Sequence, residues 1–117
     1  KMSFIVDRVG VGVYRAFEIQ NDSMDDDSKR SIPAGAYVCG RELKQEHWKS
    51  KLRINQYQDW IIVHRDTVLC KQITAHDVEK GIITCHSLND SPEYQDFEIH
   101  LDEVKQLFNI ISVQSMR

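Results

Sequence analysis

DWIIVHRDTVLCKQITAHD, residues 59–77, holds two β-rich runs, Trp60–His64 and Thr67–Thr74, separated by the polar pair Arg65-Asp66. Branched and aromatic residues on either side of a short polar break predict a β-hairpin. Arg-Asp is not the favoured Asn-Gly or Asp-Gly turn. In the second run Leu69, Lys71 and Ile73 share one face, because side chains alternate along a strand. The other face carries Val68, Cys70 and Gln72, so it too is partly apolar. A strand with two apolar faces belongs inside a sheet.

Outward from this hairpin, short strands and turn signals alternate. Upstream, SFIVDRV (3–9) reads as a strand that Gly10 and Gly12 interrupt, and AFEIQ (16–20) alternates as a strand does. Residues 21–35 are rich in Asp, Ser, Asn, Pro and Gly and read as a loop. AYVCGREL (36–43) is a strand, and KQEHWKSK (44–51) is one or two helical turns or a solvated loop. Downstream, GIITCHSL (81–88), FEIHL (97–101) and VKQLFNIISVQ (104–114) read as strands, with NDSPEYQD (89–96) as a loop. The expectation is one compact, mainly β domain with little helix over residues 1–117. The apolar run Leu107–Val113 is expected to offer a dimer interface as an edge strand.

With 117 residues the chain can bury a core without disulfides, and 41% of it is hydrophobic. Its net charge of −3 and the mixed signs of Lys44–Arg53 argue against nucleic-acid binding by this chain. The three cysteines, Cys39, Cys70 and Cys85, are odd in number and widely spaced, which fits reduced thiols better than disulfides. The five histidines are scattered, and neighbours Cys85 and His86 point to opposite faces of a strand. Asp25-Asp26-Asp27 does not continue into a calcium loop, since Arg30 and Ala36 stand where Gly and Glu are needed. The sequence therefore calls for no metal and no cofactor. No apolar run approaches a membrane span or the core of a signal peptide.

Two residues invite a chemical reading. A lysine between Leu69 and Ile73 is costly to keep charged if buried, and a neutral amine can serve as a general base. Taken alone, the pattern favours a lysine whose stem lies along the core while its tip reaches solvent. Ser23 follows the strand-like FEIQ and sits in FEIQNDSMDD (17–26). A serine needs a base to act as a nucleophile, and serine–lysine pairs are a known form of this chemistry. Taken alone, Ser23 reads as a turn or cap residue beside Asn21 and Asp22.

Together FEIQNDSMDD, SIPAGAYVCGREL and DWIIVHRDTVLCKQI resemble the C-terminal domain of the LexA/CI-like repressors, a family of serine–lysine peptidases. That family has a strand leading into Gly-Asp-Ser-Met, then a Gly-Asp turn before a strand, then a hairpin whose second strand presents the catalytic lysine. The resemblance runs from about residue 14 to the end. It implies a LexA- or signal-peptidase-like β domain with Ser23 as nucleophile and Lys71 as general base. It also implies that the Ser23 amide helps form the oxyanion hole, that Met24 packs to fix the turn, and that Asp22 fills the acidic position before the serine. The chain departs from the pattern at Asn21, Ala36 and Gln72, where the family has glycine, aspartate and commonly arginine. Asn tolerates left-handed backbone, so the turn can survive the first change.

The implied activity is hydrolysis of a small-Gly bond in the protein's own upstream linker. Ala34-Gly35 and Cys39-Gly40 both follow Ser23, and Val9-Gly10 and Val11-Gly12 are poor substitutes. The scissile linker and a helix-turn-helix domain are therefore expected upstream of Lys1. The resemblance further implies a cytoplasmic, bacterial or phage-encoded homodimeric repressor, with the activated RecA filament as trigger and DNA bound only through the upstream domain. A non-catalytic dimerisation or sensing module is the first alternative. A signal-peptidase-like enzyme is the second, although no anchor segment is evident.

Overall fold

A computed structural model of the chain describes residues 12–116. The strand expected over residues 3–9 lies outside the described residues. The others form where the alternation places them: β1 (Tyr14–Glu18), β2 (Tyr37–Glu42), β3 (Asp59–His64), β4 (Thr67–Asp77), β5 (Ile82–His86), β6 (Phe97–His100) and β7 (Val104–Gln114). They make one antiparallel sheet in the order β1-β2-β7-β3-β4-β5-β6. The helical content among the described residues is two 3₁₀ turns, Gln45–Lys49 and Leu101–Glu103.

The predicted hairpin is β3–β4, with His64 paired to Thr67 across Arg65-Asp66. Arg65 takes left-handed backbone at φ 52°, a cost that glycine would avoid. Glu103 compensates. Its carbonyl accepts from the Arg65 N–H at 3.3 Å, and its carboxylate pairs with the Arg65 guanidinium.

Successive residues of β3 enter two different cores. Trp60 and Ile62 pack with Ile73, Ile83, Cys85 and Leu107 under a cover that includes Trp48 and Leu52. Ile61 packs with Val38 and Phe108 under Ile19, Met24, Ile32 and Ala36. The sheet is thus covered on both faces, which is why its central strands read as nearly continuous apolar runs. Two covers hold the sheet: the 3₁₀ segment on one face and the loop after β1, anchored by Met24 and Ile32, on the other.

The structure corrects one expectation here. β7 is not an edge strand. It lies between β2 and β3, and Leu107 and Phe108 are fully buried. A dimer cannot pair through β7 without dismantling the sheet, whose edges among the described residues are β1 and β6. Gly40 shows how tightly β7 is seated. It lies beside the bulge in the β2–β7 register, and a Cβ there would stand 2.8 Å from Phe108 Cβ. No helix among the described residues is long and apolar enough to cross a membrane.

Candidate active site

Ser23 lies just past the end of β1, in the loop that covers one face of the sheet. Met24 beside it is fully buried, and its carbonyl accepts from Ile32 N at 2.8 Å. These contacts pin the turn from below. Gly35, at φ 88°, returns the chain into β2, and its amide donates to Ile19 O at 2.8 Å. Ser23 itself is 1% exposed.

Lys71 occupies the middle of β4, between β3 and β5. It is 6% exposed, so little of the side chain meets solvent, where the pattern alone favours a tip that reaches it. Its Nζ donates to Ser87 Oγ at 2.9 Å, and Ser87 is itself buried. No carboxylate pairs with Lys71 among the described residues. Burial holds its pKa below the ordinary 10.5, with the neighbouring Cys70 and Cys85 thiols pulling weakly the other way. Those thiols are themselves pushed up to about 12, chiefly by burial, so they stay neutral at physiological pH.

The segment after β5 joins the two residues. Asn89 N donates to Ser23 O at 2.9 Å, and Asn89 Nδ2 donates to Asp22 O at 3.0 Å. Tyr94 spans the remaining gap. Its ring centroid is 5.4 Å from Lys71 Nζ, and its hydroxyl donates to Asp22 Oδ1. Tyr94 therefore contacts both the lysine and the residue before Ser23. That proximity supports a shared site. The bond a working pair would use is not formed here: Lys71 Nζ engages Ser87, not Ser23.

The turn differs from the implied one in two ways. Asn21 does not adopt left-handed backbone; among the described residues, the non-glycine ones that do are Asp27 and Arg65. Instead its side chain substitutes for glycine's freedom by capping the turn, with Ser23 N donating to Asn21 Oδ1 at 3.2 Å. The amide assigned to the oxyanion hole is thus occupied. Asp22 faces the Tyr94 hydroxyl, and its carbonyl accepts from Asp25 N at 3.0 Å.

The sequence reading missed Ser87, Asn89 and Tyr94. Only strand pairing could have indicated Ser87: Gln72 pairs with His86 at the end of β5, so the residue just past that strand falls opposite Lys71. Asn89 and Tyr94 lie in a polar loop with no signal of their own. No family model, no curated protein and no solved structure matches this chain.

Proposed function

We propose that this domain is a serine–lysine peptidase of the LexA/CI-like kind that hydrolyses a small-Gly bond in its own upstream linker. The observation that carries the reading is the burial of Lys71 in mid-strand, without a carboxylate partner among the described residues and bridged by Tyr94 to the residue before Ser23. A lysine kept for structure alone would gain from an acid beside it, whereas a base has to be able to lose its proton.

In the proposed reaction, neutral Lys71 takes the Ser23 hydroxyl proton, and Ser23 Oγ attacks the linker carbonyl. Backbone amides of the turn stabilise the oxyanion, each donor contributing about 3 kcal/mol in comparable sites. For the Ser23 amide to be one of them, Asn21 has to turn away. Charged Lys71 then protonates the leaving amine, and water releases the acyl group from Ser23. Ser87 holds the lysine head between turnovers. Cleavage would part a DNA-binding domain from the domain that dimerises it and so switch off a cytoplasmic repressor. The activated RecA filament is the proposed trigger. The proposed dimer uses a surface other than β7.

A second reading, a non-catalytic dimerisation or sensing module, draws on the Lys71–Ser87 bond and on the occupied Ser23 amide. One experiment separates the two. The chain extended upstream by the proposed small-Gly linker is followed by intact mass from pH 7 to pH 10, beside Ser23→Ala and Lys71→Ala. The peptidase reading expects one cut upstream of residue 1, faster as pH rises, and no cut in either variant. If all three chains stay whole at every pH, even with the activated filament present, the domain is a module that does not cleave.

A further inference from the structure

Tyr94 makes two contacts that no strand requires. Its ring lies over the Lys71 ammonium, and its hydroxyl is held by the residue before Ser23. The loop that carries it, residues 87–96, is otherwise thinly attached. Asp90, Pro92, Glu93, Gln95 and Asp96 are exposed. Its anchors sit at its ends: Asn89 bonds the Ser23 turn, and His86 Nδ1 meets Asp96 Oδ1 at 2.7 Å. Within the loop, Tyr94 N donates to Ser91 O and Ser91 N donates to Asn89 Oδ1, each at 2.9 Å, which fixes Tyr94 at the crest.

We propose that Tyr94 is a latched lid: its ring holds Lys71 as an ammonium turned toward Ser87, and its hydroxyl, on Asp22, keeps the loop shut until substrate displaces it. The consequence for cleavage rests on the serine–lysine reading; the lid itself does not.

The electrostatics are consistent with a resting state. The groups around Lys71 are Ser87, which accepts from its Nζ, Cys85 on β5, the neighbouring Cys70 on the other face of its strand and, from the loop, Tyr94. With both thiols neutral, the Tyr94 ring joins Ser87 Oγ in favouring the charged amine, as aromatic faces do within about 6 Å of a cation. The hydrogen bond to Asp22 pushes the Tyr94 hydroxyl up to about 12, so the latch remains a donor throughout pH 7–10. Lysine has a flexible stem, and with the ring gone its head can leave Ser87 and turn toward Ser23.

The test uses the parent chain carrying Ser23→Ala, so that cleavage does not interfere, with and without Tyr94→Phe or Tyr94→Ala. Brief acetylation with acetic anhydride at pH 8, read by peptide mass spectrometry, compares Lys71 with Lys105, whose side chain is 63% exposed. A lid requires that Tyr94→Ala raise Lys71 labelling relative to Lys105 at least tenfold. Tyr94→Phe, which keeps the ring and loses the latch, falls between. Equal Lys71 labelling in all three overturns the proposal, provided their thermal melts stay cooperative. In chains that retain Ser23, Tyr94→Ala should speed cleavage at pH 7 several-fold, and slower cleavage than in the parent would also overturn the lid. Raised labelling with no cleavage in any chain leaves the lid standing and removes the peptidase reading.

Discussion

Burying an amine with a serine hydroxyl and an aromatic ring but no carboxylate beside it costs stability, and Lys71 is held in that way. Because its folded pKa lies below the ordinary 10.5, the folded chain binds fewer protons than the unfolded chain between those two values. Stability therefore rises with pH through that window and is lowest below it. Lys71→Met should remove the alkaline rise and stabilise the domain at pH 7 by roughly 1 kcal/mol, or about 5 °C in melting temperature, while abolishing cleavage. Thermal melts at pH 7 and pH 10 check both effects, and a lower melting temperature for the variant would count against a strained, functional lysine. At Asn21 the expectation concerns rate. Asn21→Gly frees the Ser23 N–H and should raise self-cleavage roughly tenfold, in line with the worth of one oxyanion donor partly recovered. An unchanged time course would mean that the Ser23 amide takes no part. As candidates, Ser23 and Lys71 were marked only by the resemblance of their joint context, since each alone reads as structural. Ser87 and Tyr94 were not, because their importance comes from strand register and loop closure, which sequence does not display.

The strands themselves were legible among the described residues, since alternation and turn chemistry agree with the final sheet. The order of the strands was not. An apolar strand at the end of a sequence gives no sign of whether it closes an edge or inserts between earlier strands. The stretch Leu107–Ile110, apolar on both faces apart from Asn109, was the available hint that β7 is internal. Its fit there should make Gly40→Ala costly, by about 1–3 kcal/mol in denaturant unfolding, because the added methyl meets Phe108. The segment 44–51 stayed ambiguous because one aromatic, Trp48, anchors it rather than a periodic stripe. Its continuation hangs from β4 by a histidine: Leu52 N donates to His76 Nδ1 at 3.1 Å, a bond only the neutral ring accepts there. Burial holds the His76 pKa below 6.5. The stability it contributes is fully present above 6.5 and is lost as pH falls through the lower folded value. His76→Gln keeps an acceptor without the titration, so its melting temperature should change less than the parent's between pH 7.5 and pH 5.

At the scale of the molecule, one sheet with both faces covered performs two tasks. It buries β4 deeply enough to depress a lysine, and it brings the cover loop that carries Ser23 beside the strand that carries Lys71. The loop after β5 completes the arrangement by tying the serine turn to the lysine through Asn89 and Tyr94. The proposed function requires that this fold make Lys71 a base. The direct measurement is the titration of Lys71 in the Ser23→Ala chain by carbon NMR at Cε, assigned by its absence in Lys71→Met. The claim requires a midpoint below 10.5. A midpoint at or above 10.5 would mean that the amine stays charged where a base is needed, and Lys71 would then be a buried structural cation.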